Sequence, residues 1–264
     1  SQLLTMGFGG VPGKIKAGPA KHIDVAVNQI VNFFGCLQME FAGAQAFSSL
    51  DTYLAPLVKT DGLTYKQVKQ NIQKLVYHLN VTSRWGCQTP FTNITFDLTT
   101  PSDLKDKPAI VGGKEQPFTY GDCQKESDMI NKAFFEVMLE GDASERVFTF
   151  PIPTYNLTKD FDWDSELANL LFKMTAKYGI PYFQNYIGSK LDPNSIRSMC
   201  CHLSLDLSQL QHNDNALFGS GELTGSIGVV TINLNRLAYE SHSKEEFFAR
   251  TKEYMELAKD SLEL

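Results

Sequence analysis

Apolar residues recur at helical spacing along much of the chain, separated by short runs with strand character. The clearest helix is predicted over Thr64–Thr82, where Val68, Ile72, Leu75, Val76 and Leu79 fall on one stripe and Thr64 can cap the first turn. Its other face, with Gln67, Gln70, Asn71, Gln73 and Lys74, is polar but mostly uncharged, which suits solvent or a subunit partner. Helices are also predicted over Lys21–Phe34, with Val25, Ile30 and Phe33 sharing a face, and over Glu40–Leu54, ended by Ala55-Pro56. Three more are predicted over Glu126–Glu140, Glu166–Tyr178 with Gly179 as its C-cap, and Glu245–Ala258.

Strands are predicted over Thr89–Phe96, Val147–Pro153 and Pro181–Ile187, and the nearly unbroken apolar run Ile227–Leu234 reads as a strand buried on both faces. Leu203–Leu210 is either strand or irregular. Residues 98–122 carry three prolines and three glycines and read as one long loop, followed later by a second at Thr154–Asp162. Helices alternating with buried strands predict a largely parallel α/β sheet or barrel in one domain.

Charge narrows the function classes. A net charge of −6 with no Lys/Arg stripe argues against a nucleic-acid surface. No apolar run is long enough to span a bilayer, and no signal peptide opens the chain. Five cysteines, Cys36, Cys87, Cys123, Cys200 and Cys201, form no C-x-x-C pair and no structural-zinc spacing, which predicts a reducing, cytoplasmic setting. The glycine-rich segment Met6–Gly13 lacks a Gly-Lys-Ser/Thr ending, so it reads as a close-packed turn and not as a phosphate loop.

The candidate chemistry sits in Arg197-Ser198-Met199-Cys200-Cys201-His202-Leu203. Two adjacent thiols on a polar-flanked loop between core strands suit one-electron hydrogen abstraction or nucleophilic attack; a pair of buried structural cysteines is the plain alternative. Adjacent side chains on an extended loop point opposite ways, so one thiol is expected to face a site. His202 has no evident Ser/Asp or Asn partner. His22, His78, His212 and His242 read as structural or surface residues, and Asp51 suits a helical or backbone contact as well as it suits chemistry.

Several blocks, in order, resemble the catalytic subunit of the anaerobic (class III) ribonucleoside-triphosphate reductases, a glycyl-radical enzyme family. They are residues 35–47 (GCLQMEFAGAQAF), 51–56 (DTYLAP), 88–93 (QTPFTN), 148–154 (FTFPIPT), 192–203 and 224–230 (TGSIGVV). The resemblance implies a partial ten-stranded α/β barrel with a cysteine-bearing finger loop. It also implies a thiyl radical on Cys201, with Cys200 as the alternative. In that chemistry a glycyl radical, generated by an S-adenosylmethionine-dependent iron–sulfur activase, oxidises the cysteine, and the thiyl takes the 3′-hydrogen of a ribonucleoside triphosphate. The helix over Thr64–Thr82 resembles a dimer-interface helix. The two long loops lie where the family binds a deoxynucleotide effector, with Asp97, Lys105 and Lys159 as nearby polar candidates.

Three departures refine the expectation. His202 stands where many members have Arg. Ser226 stands where formate-using members carry Asn, which points to the formate-independent branch that uses a redoxin, formate being the other possible reductant. The family's N-terminal ATP-cone, first barrel strand, glycyl-radical segment and four-cysteine structural zinc site find no counterpart in residues 1–264. The chain is therefore expected to be one incomplete barrel domain of a homodimer or of a split-chain complex, binding no cofactor itself. Alternatives are a fragment of an acyltransferase-like glycyl-radical enzyme, a non-catalytic nucleotide-binding or structural piece, and a cysteine hydrolase.

Overall fold

The structure is a computed structural model that describes residues 2–9, 13, 15–40, 44–81, 89–188, 196–198, 204–206 and 230–263. The chain divides into two compact units, Ser1–Ser220 and Gly221–Leu264.

The first unit is built on a four-stranded, wholly parallel sheet. Its strands are β1 (Gln45–Phe47), β2 (Thr92–Phe96), β5 (Ile152–Leu157) and β6 (Tyr182–Asn185), in the order β1-β2-β5-β6. Register runs Phe47↔Ile94, Phe96↔Tyr155 and Tyr155↔Phe183. Helices cross over between successive strands: α3 (Leu50–Asp61) and α4 (Tyr65–Asn80) between β1 and β2, α6 (Gln124–Glu140) between β2 and β5, and α7 (Glu166–Tyr178) between β5 and β6. This is the α/β architecture expected from the alternation.

Strand periodicity separates two faces of the sheet. Ile94 and Phe96 on β2, and Tyr155 and Leu157 on β5, enter the main core. Phe96 stacks on Tyr155 at 4.9 Å and meets Phe134 of α6 at 4.6 Å, while Phe135 lies 5.2 Å from Tyr155. The alternate positions, Asn93, Thr95 and Asp97 beside Thr154 and Asn156, are polar and yet largely buried.

Helix α4 matches its prediction. All five stripe residues are fully buried, and Thr64 and Gln67 form a reciprocal capping box. Helix α7 begins at the Ser165 cap and ends on Gly179 at φ 68°, as read. Helix α2 (Ile23–Glu40) runs longer than predicted and buries Ile23, Ala26, Val27, Ile30, Val31 and Phe34, whereas Val25 is 40% exposed.

The predicted helix Glu40–Leu54 is a correction. Gln45–Phe47 is strand β1, because its backbone completes the edge of β2, and helix α3 starts only at Leu50. Pro56 does not end α3 but sits inside it. The neighbouring Leu54, Ala55, Leu57 and Val58 are all buried, and that packing outweighs the ~3 kcal/mol that an interior proline costs.

The long loop is also corrected. It contains a short helix α5 (Ser102–Lys105) and an antiparallel hairpin of β3 (Pro108–Val111) and β4 (Lys114–Thr119). The hairpin turns on Gly112 and Gly113 at φ 60° and 74°, the left-handed pair that a tight two-residue turn requires. The strand predicted at Val147–Pro153 lies later, at Ile152–Leu157, so part of the predicted loop Thr154–Asp162 is strand.

At the N-terminus, after helix α1 (Gln2–Met6), Phe8 bridges Ala17. Gly7, at φ 81°, approaches so closely that a Cβ there would lie 2.1 Å from the Ala17 carbonyl oxygen. Gly7→Ala is therefore expected to destabilise the protein by about 1–3 kcal/mol, seen as a lowered Tm. An unchanged Tm would mean that this segment is not packed as described.

Strands β7 (Ile196–Ser198) and β8 (Ser204–Asp206) form a separate antiparallel pair with Arg197 opposite Leu205. In the second unit, α8 (Leu234–Glu240) is capped by Asn233 and is followed by α9 (Lys244–Glu263). Glu240 accepts from Arg236 on its own helix and from Arg250 on α9. The strand predicted over Ile227–Leu234 is not formed in its described part: Val230 is 44% exposed and Leu234 starts a helix. No helix among the described residues is long and apolar enough to cross a membrane.

Candidate functional site

A cleft of about 650 Å³ opens where β1, β2 and β5 end. The carboxyl ends of parallel strands are where α/β sheets place ligands, because the loops there are free to vary and helix N-termini point inward. Ser48 and Ser49 line it from β1, Thr95 and Asp97 from β2, and Asn156 and Thr158 from β5.

The floor is held by a buried carboxylate. Asp51, in the first turn of α3 and 0% exposed, accepts from the backbone N–H of Asp97 (3.0 Å) and of Leu98 (2.9 Å). It also accepts from Ser127 Oγ (3.3 Å) and Asn131 Nδ2 (2.8 Å) of α6. Gln124 holds the same loop from the other side, donating to the Leu98 carbonyl at 2.7 Å and accepting from the Thr100 N–H at 3.0 Å. Between these two clamps, Leu98 adopts φ 63°, and Ser49 at the start of α3 adopts φ 57°. Left-handed backbone at two non-glycine residues costs about 1–3 kcal/mol each and persists only where surroundings enforce it.

Asp97 is 4% exposed. It accepts from Thr52 Oγ1 at 2.7 Å and from Asn156 Nδ2 at 2.9 Å. Burial, and then the Asp51 charge, push its carboxyl up to about 7, against the lowering effect of the Thr52, Ser49 and Asn156 hydrogen bonds. Three atoms on the polar face have no partner among the described residues: Asn93 Oδ1, Thr95 Oγ1 and Asn156 Oδ1. Buried polar atoms are nearly always hydrogen-bonded, so an unspent row on one face marks a surface built for a ligand.

The structure brings Asp97 and Lys105 to this one cleft. Lys159 is exposed and does not line it, although its neighbours Thr158 and Asp160 do. Cys200, Cys201, His202 and Ser226 lie outside the described residues; β7 and β8 flank the cysteines in sequence. Cys36 is an exposed free thiol, and Cys123 is a buried one that burial pushes up to about 12, which leaves it unreactive. No group of His, Cys, Asp and Glu among the described residues could hold a metal ion. Asp51 was weighed in the sequence between a backbone contact and chemistry, whereas Thr95 and Asn156 were not singled out. The signal for Thr95 was the alternation Asn93-Ile94-Thr95-Phe96-Asp97, in which every second residue of a buried strand is polar.

Comparison with known proteins agrees with this architecture. A solved anaerobic ribonucleotide reductase superposes with a TM-score of 0.66 at 20% identity, over 97% of this chain and 40% of its own. The Thermotoga maritima anaerobic ribonucleotide reductase in complex with dATP and CTP superposes with a TM-score of 0.54 at 22% identity, over 70% of this chain and 32% of its own. The same enzyme with dATP bound in the specificity site gives 0.55 and 22%, over 72% and 33%. The chain thus spans less than half the length of these structures. No curated protein matches it. The model of the family described as anaerobic ribonucleoside-triphosphate reductase matches residues 1–264, and the chain belongs to that family.

Proposed function

We propose that this chain forms the nucleotide-handling part of an anaerobic ribonucleoside-triphosphate reductase, which converts ribonucleotides to deoxyribonucleotides by thiyl-radical abstraction of the ribose 3′-hydrogen. The observation that carries this reading is the family match through all 264 residues. The sheet supports it, since it turns a buried polar face toward a cleft at its strand ends, as a site that orients a sugar and excludes water requires. Cys201 is the thiyl position and Cys200 its alternative, flanked by the antiparallel pair β7/β8. A glycyl radical, generated by an S-adenosylmethionine-dependent iron–sulfur activase, supplies the oxidant. Ser226 favours a redoxin over formate as reductant.

dATP and CTP, the ligands of the Thermotoga maritima structure, are the first compounds to test in the cleft, with Asp97 and Lys105 as contacts. The decisive experiment uses the full-length, activated enzyme. Cys201→Ser is expected to reduce CTP turnover to background while leaving dATP binding intact, and Cys200→Ser to retain activity. The reverse pattern would move the radical to Cys200. Full activity in both variants would sink the radical reading.

A further inference from the structure

Asp51 and Asp97 are two buried carboxyls at the floor of one cleft, and among the described residues neither has an ion-pair partner. Two anions cannot both be buried there without a compensating cation; one must keep its proton. Their surroundings decide which. Asp51 is ringed by two backbone N–H groups, one hydroxyl and one amide NH₂, all donors. Asp97 receives side-chain groups alone, those of Thr52, Asn156 and Ser49, and no backbone N–H. A hydroxyl can reverse its role, and an amide can flip, to accept from a carboxylic acid. The unspent Asn156 Oδ1 is the atom that such a flip would turn toward the Asp97 proton.

We propose that Asp97 is a specificity residue that meets the ligand as a neutral carboxylic acid, with Asp51 as the positioning residue that keeps it so. The ligand part it takes is the neutral, hydrogen-bonding part of a nucleotide, its sugar hydroxyls and base edge, and not its phosphates. This rests on the nucleotide reading above. The cleft's other charges support the choice. Asp103, Asp128, Asp160 and Asp162 also line it, against Lys105 as the single cation among the described lining residues, a balance that disfavours phosphate. Beside Asp97, Thr95 and Asn156 line it as uncharged polar residues, each with a buried oxygen that has no partner among the described residues.

The groups that face Asp97 set its titration. These are Ser49, Asp51 and Thr52 at the start of α3 and Asn156 on β5; the cleft that Asp97 lines is also lined by Asp103 and Lys105 on α5, Asp128 on α6, and Asp160 and Asp162 after β5. Asp51 is the one whose charge bears most on it.

The test measures binding of dATP and of 2′-deoxyadenosine to the full-length protein at pH 6 and pH 8, for the parent, Asp97→Asn, Asp97→Ala and Asp51→Asn. Deoxyadenosine has no group that titrates in this window, so its curve reports the protein alone. Parent affinity for it is expected to fall about tenfold between the two values, as one group ionises through neutrality. Asp97→Asn, which resembles the protonated acid, should bind equally well at both, and Asp97→Ala weakly at both. Asp51→Asn should shift the fall to lower pH. A parent that tracks Asp97→Asn at every pH, or an Asp97→Ala that matches the parent, would overturn the proposal. If neither nucleotide binds the parent, the nucleotide reading fails. Infrared difference spectra then decide the state of Asp97: a protonated-carboxyl stretch at pH 6 that is absent from Asp97→Asn supports it, and no such band refutes it.

Discussion

Asp51→Ala is expected to cost about 3–5 kcal/mol, enough to leave much of the full-length protein misfolded at 37 °C. The change strands four buried donors at once: the N–H groups of Asp97 and Leu98, the Ser127 hydroxyl and the Asn131 amide. Each unsatisfied group costs about 1–3 kcal/mol, and no water-filled space replaces a carboxylate at a position that is 0% exposed. The loop consequence is separate. Leu98 at φ 63° stays left-handed because its N–H is anchored by Asp51 and its carbonyl by Gln124. Without the first anchor it should relax, and the cleft floor should move with it. Asp51→Asn keeps an acceptor oxygen and should cost only about 1–2 kcal/mol. Thermal unfolding of the two variants checks this ordering. An Asp51→Ala protein as stable as the parent would mean that the clamp does not hold the loop.

The same residue illustrates what was readable in advance. Asp51 stands in a helix start, where a carboxylate ordinarily serves the local backbone, and nothing in its neighbourhood points to partners 46 and 80 residues away. Long-range hydrogen bonds leave no periodic trace. Burial patterns do: α4 and α7 were legible because each has a complete apolar stripe and a cap in the chain itself. Strand β1 was not, because Gln45-Ala46-Phe47 follows a run of helix-forming composition and becomes strand only by pairing with Thr92–Ile94. The Gly112-Gly113 turn was legible but was absorbed into a loop by the prolines around it. As for the site, Asp97 and Lys105 were read as polar residues near a long loop and line the cleft, whereas Lys159, read by the same logic, is exposed beside it, since proximity in sequence does not say which way a loop side chain turns. The family blocks carried the rest, and they named the family that matches the whole chain.

Asp97→Asn should stabilise the protein in neutral and alkaline solution and do nothing in acid. In the unfolded chain an aspartate ionises near pH 4; in the folded protein burial and the Asp51 charge raise it to about 7. A raised carboxyl means that the folded state holds its proton more tightly. Its contribution to stability is therefore fully present below about pH 4 and is lost as pH rises to 7, after which nothing more changes. Asparagine has no proton to lose. The Tm advantage of the variant should thus be absent at pH 4, grow up to pH 7 and stay level above it, with a ceiling on the order of a few kcal/mol or several degrees. Thr52 and Asn156 can serve the amide as they serve the acid, since both can donate or accept. The slope separates causes that a single Tm would confuse. A uniform offset at all pH values would reflect packing. An advantage that grows toward acid would mean that Asp97 is held as an anion, and that another group carries the proton of the pair.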